Sequence, residues 1–298
     1  MLPPDLLRRL SPRRRELIRP VLDQPRDYVL LSVRKLADIL RSDAMTVLRT
    51  IRAMGFGGYP EFRRYLHELA LVQTTQIDPM LGGPTQASDV SGLLRNCLVH
   101  DATNLATLRH TLDFPQIETV ARRLYEARRI VLMGGDLAAV LVEFLRYNLL
   151  VIDLPAIACV TPGEVAHVAR SLKRSDLVIA ISFRRGLRQT VEGLEQARRR
   201  GAYCVALTDT HLSPLARLAD EYFVTPVETT VYGVSYVAPI AFLNLLLVAC
   251  AATRRARTIR LLKEAEVEQR TGFRWYDAGS RPGPAAPSRR RRASRPSR

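Results

Sequence analysis

The stretch "DLVIAISFRRGLRQTVEGLEQARRRGAYCVALTD", residues 176–209, decides the fold. It opens with a continuous apolar run from Asp176 to Ser182, which ends in two adjacent arginines and a glycine. An amphipathic segment follows, "RQTVEGLEQARRR" (188–200), closed by Gly201 at the position of a helix C-terminal cap. Then "YCVALT" (203–208) is apolar again. A strand without polar alternation is covered on both faces, and strands that alternate with helices pair in parallel.

The same unit recurs on either side. "RIVLM" (129–133) precedes the helical pattern "DLAAVLVEFLRYNLL" (136–150), and "AIACV" (156–160) precedes "GEVAHVARSL" (163–172). "YCVALT" leads into "SPLARLA" (213–219), and "EYFVT" (221–225) leads into a long helix after Ser235. The pattern predicts an α/β unit with a parallel sheet flanked by helices on both faces. Such sheets hold their ligands at the carboxyl ends of the strands, which is where Arg184 and Arg185 fall.

Upstream of Arg129 the patterns are helical. Two of them run from Val90 to Leu112 and from Pro115 to Arg128. Before them lies "TTQIDPMLGGPTQASD" (Thr74–Asp89), rich in Gly, Pro, Thr and Ser, which reads as a linker. Residues 1–73 carry no convincing strand. A helix starting near Ser11 and Pro12 is expected to kink or stop at Pro20. The expected organisation is an all-α domain over 1–75, a linker and connecting helix over 76–112, an α/β domain over 113–270, and a disordered basic tail over 271–298.

Charge divides the chain in the same way. The net charge is +16. Residues 1–80 hold 14 Lys/Arg against 9 Asp/Glu, and residues 281–298 hold 7 Arg and no acid, so the excess sits at the two ends. Basic ends point to a polyanion partner, most simply nucleic acid. Cys97, Cys159, Cys204 and Cys250 have no metal-ligand spacing and read as buried thiols of a reducing, cytoplasmic setting. The apolar segment Val237–Ala252 is broken by Pro239 and Asn244 and falls short of the ~20 apolar residues of a membrane span. The first residues lack the apolar run of a signal peptide, and no membrane partner is expected.

The stretch "LSVRKLADILRSDAMTVLRTIRAMGFGGY" (31–59) contains two helix patterns joined by a short turn. Ser32 caps the first, with Val33, Leu36, Ile39 and Leu40 apolar; Asp43 caps the second, and Gly55 ends it. On the second helix Val47, Leu48, Ile51 and Met54 share an inward arc, while Met45, Thr46, Arg49, Arg52 and Ala53 share the outer one. A helix of this kind after a short turn is what a helix-turn-helix lays in the major groove. The expected DNA-facing set is Ser32, Arg34 and Lys35 with Asp43, Met45, Thr46, Arg49 and Arg52. A small bundle with a solvated polar face has the same periodicity.

The residues "SVRKLADIL...TVLRTIRAMGFGGYPEFR" are similar to the amino-terminal helix-turn-helix of RpiR-type bacterial transcriptional regulators. The family pattern has a glycine in the turn where this chain has Arg41, and a serine cap where it has Asp43. The resemblance implies a sugar isomerase (SIS) domain after the linker. "DLVIAIS", "TVEGLEQARRRGAYCVALTD" (190–209) and "SPLARLAD" (213–220) resemble one. It also implies a small, anionic metabolite effector, such as a sugar phosphate, a homodimer or homotetramer, and a double-stranded operator as the DNA partner. The expected effector set is Gly134, Gly135, Asp136, Ser182, Arg184, Arg185 and Thr208. Here the hydroxyl-rich loop of typical SIS domains is altered: Arg184 and Arg185 replace a serine and a glycine, and Leu187 replaces a threonine.

Two readings of those arginines stay open. They bind an anion, with help from the helix N-terminus at 188, or they pair with acids of a neighbouring helix or subunit. No enzyme activity, cofactor or metal is expected. Glu143, Glu164, His167, His211 and Glu228 are the available acid–base groups, and no spacing singles one out. The alternative from another class is a SIS-type sugar-phosphate isomerase with a helical appendage.

Overall fold

The computed structural model describes Leu7 and residues 10–73, 89–184, 186–229 and 233–271. Arg185, most of the linker and the basic tail beyond Thr271 therefore lie outside the described residues.

The amino-terminal unit contains α1 (Pro12–Asp23), α2 (Pro25–Tyr28), α3 (Val33–Ile39), α4 (Ala44–Ala53) and α5 (Tyr59–Gln73). Its core joins Ile18, Val21 and Leu22 of α1 to Leu36, Val47, Ile51, Met54, Phe62 and Leu66. Burying each such aliphatic side chain stabilises the fold by about 2 kcal/mol. That burial explains a correction. Pro20 was expected to end or kink α1; it does not end it, and the helix runs on to Asp23. The ring removes one N–H, and the buried neighbours Ile18, Val21 and Leu22 hold the turn around it. The Pro20 carbonyl accepts from Gln24 N–H at 3.0 Å, and Pro25 opens the next helix.

Two helices connect this unit to the sheet: α6 (Val90–Thr111) and α7 (Phe114–Glu126). The sheet has five parallel strands in the order β2-β1-β3-β4-β5, namely β1 (Arg129–Met133), β2 (Ala156–Cys159), β3 (Asp176–Ile181), β4 (Tyr203–Thr208) and β5 (Glu221–Val224). The crossover helices are α8 (Ala139–Val151), α9 (Pro162–Arg170), α10 (Arg188–Arg199) and α11 (Pro214–Leu218). Two further helices follow, α12 (Val237–Thr253) and α13 (Arg255–Thr271).

The strands feed two cores, one per face, by simple alternation. Ile130, Leu132, Leu177, Ile179 and Val205 meet α7, α8 and α12. Val131, Met133, Val178, Ala180 and Cys204 meet α9, α10 and α11. Gly201, at φ +77°, ends α10 as the sequence implies. Cys159, Cys204 and Cys250 are buried free thiols; Cys97, on α6, is exposed. Among the described residues no single helix is long and apolar enough to cross a membrane.

One ionic anchor sets the start of the central strand pair. Arg129 and Asp176 face each other in the β1–β3 register. The Asp176 carboxylate is fully buried and accepts from Arg128 (2.8 Å), Arg129 (3.1 Å) and the Lys173 N–H (2.8 Å). Burial by itself would raise the Asp176 pKa, but these donors outweigh it and hold the group below the ordinary carboxylate value. A depressed folded pKa contributes stability above the unfolded value, and that stability is lost as pH falls through the folded one. Asp176→Ala should therefore lower unfolding stability at pH 7 by roughly 3 kcal/mol, the scale for breaking a buried pair. In urea titrations the gap between parent and variant should narrow below about pH 4. A gap independent of pH would rule out the ionic anchor.

Candidate functional site

Two places on the molecule carry the expected chemistry. The first is the pair α3 and α4. Ser32 Oγ accepts from the Lys35 N–H at 3.3 Å and caps α3. Asp43 caps α4: one carboxylate oxygen accepts from the Thr46 N–H at 2.8 Å, and the other from the Thr46 hydroxyl at 2.6 Å. Those bonds from Thr46 hold the Asp43 carboxyl below its usual value. Thr46 is thus engaged with its own cap and half-buried.

The turn between the helices passes through Arg41 at φ +50°. This is the position where the family pattern has glycine, and the left-handed geometry is kept without it. Gly55, at φ +104°, ends α4.

The arcs are close to those read from the sequence, with two corrections. Val47, Ile51 and Met54 are buried; Leu48 is only half-buried, and Thr50 takes the inner place with its hydroxyl donating to Thr46 O at 2.8 Å. On α3, Ile39 is exposed and Ala37 is buried instead, because the helix is short and turns its end to solvent. Met45, Arg49 and Arg52 stand exposed on the outer arc, and Arg34 and Lys35 are exposed on α3. No side-chain hydrogen bond or ion pair engages the cations Arg34, Lys35, Arg49 or Arg52 among the described residues.

Beside this surface lies an open concavity of about 1090 Å³ lined by Arg13 and Arg14 of α1, Arg41, Asp43 and Thr46. Arg13 and Arg14 were not in the sequence-derived set. The run "PRRRE" (12–16) carried the signal, but only the packing of α1 brings it beside the start of α4.

The second place is the carboxyl edge of the sheet. After β1, Gly134 and Gly135 are pressed into the fold: a Cβ on Gly134 would meet Val142 and Ile181 O, and one on Gly135 would meet Gln189, Leu187 and Val160 O. Gln189 also donates to Val160 O at 2.9 Å. The Cβ side of Gly135 is thus covered by the start of α10. Asp136 is exposed, at φ +54°. Ser182 Oγ accepts from the Leu187 N–H at 2.8 Å and closes the loop after β3. Thr208 is buried, with no hydrogen-bond partner for its hydroxyl.

Arg184 sits in that loop at φ +60°. Its N–H donates to one Asp209 oxygen at 2.9 Å. Its guanidinium, only 12% exposed, lies 3.8 Å from the other Asp209 oxygen and 3.7 Å from Glu228. These are loose pairings, and neither Arg184 Nη1 nor Asp209 Oδ2 makes a hydrogen bond. Burial raises the Asp209 pKa, against the pull of Arg184. Tyr236 is pushed up to about 12 by burial and by the nearby charges of Asp136 and Asp209. The edge therefore presents one guanidinium among several acids.

The remaining acid–base groups are scattered. Glu143 pairs with Arg146 along α8. Glu164 completes the capping box of α9 with Thr161, and bonds from Thr161 and Val160 hold it below its usual value. His167 is exposed on α9, and His211 lies edge-on to Tyr222. Among the described residues no group of three or more His, Cys, Asp or Glu could hold a metal ion.

Residues 123–249, which span the parallel sheet, match a known family. That stretch is a SIS domain. The SIS domain follows the helical amino-terminal unit. The chain is 22% identical over 257 residues to an HTH-type transcriptional regulator of Caldanaerobacter subterraneus, covering 85% of this chain and 90% of that one. The SIS domain is similar to that of an RpiR transcription factor from Sphaerobacter thermophilus, at 28% identity and TM-score 0.56, over 59% of this chain and 98% of that one. Its fold, with the amino-terminal helices, also matches the Vibrio vulnificus NanR protein complexed with ManNAc-6P, at 21% identity and TM-score 0.57, over 90% and 99% of the two chains.

The left-handed Arg41 generates a test. Replacing it with glycine removes a backbone penalty of about 1 kcal/mol, partly offset by the greater freedom of the unfolded chain. Arg41→Gly should leave the fold intact and raise stability by roughly 0.5 kcal/mol. A clear loss of stability in urea titrations would mean that the Arg41 side chain itself holds the turn.

Proposed function

We propose that the chain is a DNA-binding transcriptional regulator whose SIS domain senses a small anionic metabolite, a sugar phosphate or a related compound. The observation that carries this reading is the unengaged cationic surface of α3 and α4. Arg34, Lys35, Arg49 and Arg52 stand exposed without acid partners among the described residues. A structural helix face of this protein looks different: on α10, Arg188 and Arg199 each pair with a glutamate one turn away.

In this reading α4 enters the major groove. Arg49 and Arg52 reach base edges or phosphates, Met45 meets apolar base atoms, and Ser32, Asp43 and Thr46 hold the helix starts in place. Arg13, Arg14 and Arg41 add phosphate contacts beside them. One short helix reads few base pairs, so the regulator acts as a homodimer or homotetramer on a palindromic operator in the cytoplasm.

On the sensor side, Arg184 is the guanidinium available to an anion at the carboxyl edge, with Ser182, Thr208 and the Gly134–Asp136 backbone around it. The anion competes with Glu228 and Asp209 for that charge. Effector binding shifts the balance between arrangements of the reader helices. The relatives named as transcriptional regulators favour this reading over an isomerase.

A gel-shift titration against DNA upstream of the chain's own operon tests it. The expected outcome is a sequence-selective complex weakened roughly tenfold by Arg49→Ala, with a steep loss of affinity as salt rises. Removing residues 281–298 should weaken the complex only modestly. Binding that is indifferent to sequence and abolished by the tail deletion would refute the regulator.

A further inference from the structure

A cavity of about 770 Å³ opens where three parts of the molecule meet. His67 of α5 comes from the reader unit, and His100, Thr103, Asn104 and Thr107 come from α6. The sheet contributes Asp209 and His211 after β4, and Tyr222, Phe223, Pro226 and Glu228 along and after β5. Of these residues Asp209 and Glu228 lie beside Arg184, and the expected effector set supplies none of the cavity's walls.

The walls have a definite chemistry. Phe223, Val224, Pro226 and Leu112 give an apolar side, of the kind that packs against the carbon skeleton of a ligand. Three imidazoles, three threonine hydroxyls and the Asn104 and Gln116 amides provide the hydrogen-bonding groups. Five of these already have partners: Asn104 donates to Glu228 O at 2.8 Å, Gln116 donates to Glu221, Thr103 donates to Val99 O at 2.8 Å, Thr111 donates to Thr107 O at 3.1 Å, and His211 Nδ1 lies 3.2 Å from the Tyr222 hydroxyl. The charged groups on the wall are Asp113, Asp209 and Glu228, with no lysine or arginine among the described lining residues. Arg184 stands behind two of these carboxylates, so the local balance stays negative. Asp209, 3% exposed at its side chain, keeps one oxygen without a hydrogen bond. A buried carboxylate oxygen left unpaired is costly, and a donor in the cavity would satisfy it.

We infer that this junction cavity is a ligand site for a hydroxylated organic amine, its ammonium group directed to Glu228 and Asp209 and its hydroxyls to the imidazoles and threonines. A phosphate-bearing molecule meets three carboxylates there and is disfavoured. The site adjoins the proposed anion site, with Asp209 and Glu228 between the cavity and Arg184, and its existence does not depend on the reading of the chain as a DNA-binding protein. The ligand touches reader and sensor at once, across a junction that otherwise rests on Thr210 donating to Glu68 at 3.4 Å and on Leu212 packing into the reader core.

The test uses the full chain with D-glucosamine as probe, D-glucose as the neutral comparison and glucose 6-phosphate as the anionic one. Calorimetry should show saturable glucosamine binding, at least tenfold tighter than glucose. Thr107→Trp, an exposed α6 position that fills the cavity, should abolish it, and Glu228→Gln should weaken it about tenfold. Ring signals of labelled His67, His100 and His211 should move with glucosamine, while those of His110 and His167 stay in place. Equal binding of glucose, binding that survives Thr107→Trp, or a lack of shifts at the three cavity histidines would each overturn the proposal. A Thr107→Trp variant with unchanged far-ultraviolet circular dichroism and melting temperature guards against a folding artefact. Glucose 6-phosphate binding that is indifferent to Thr107→Trp but lost in Arg184→Ala belongs to the anion site, so the two readings fail separately.

Discussion

A parallel sheet must be covered on both faces, and the organisation of the SIS domain follows from that constraint. Each strand sends alternate residues to opposite cores, so each crossover must carry a helix to one face or the other. All five strands then point their carboxyl ends the same way. The loops after β1, β3, β4 and β5 converge on one edge as a geometric consequence, before any ligand is considered. The strand order changes direction at β1 and β3, and there the glycines of the β1 loop lie under the start of α10.

That edge is electrostatically unusual for a site expected to take an anion. Arg184 is held in a left-handed backbone by its own N–H bond to Asp209, which turns its guanidinium toward acids. Its distances to them exceed hydrogen-bond length, and atoms on both sides remain unpaired. A buried network satisfied only in part is expensive to maintain. The amino-terminal unit differs: Ser32 and Asp43 satisfy the caps of α3 and α4, and Arg34, Lys35, Arg49 and Arg52 have no side-chain partner among the described residues.

Much of this was legible beforehand because it depends on local rules. The strands from 129 to 225 were visible as apolar runs, and the capping of α3 and α4 by Ser32 and Asp43 followed from residue type and position. Where local rules met packing, they gave way. Pro20 sits within α1 because buried neighbours hold the helix around it. Ile39 and Leu48 lost core places to Ala37 and Thr50, since the angle between two short helices, rather than apolarity, decides which side chains point inward. Arg41 keeps a left-handed turn that its residue type disfavours.

The sequence by itself determined the helical amino-terminal unit, the parallel sheet and the edge at which its strands end, because periodicity, caps and apolar runs act between neighbours in the chain. Tertiary structure alone decided that Arg184 faces Asp209 and Glu228, that Arg13 and Arg14 stand beside α4, and that three histidines from distant segments border one cavity. Those juxtapositions join residues up to more than a hundred positions apart. They arise from how the elements pack, which no local pattern encodes.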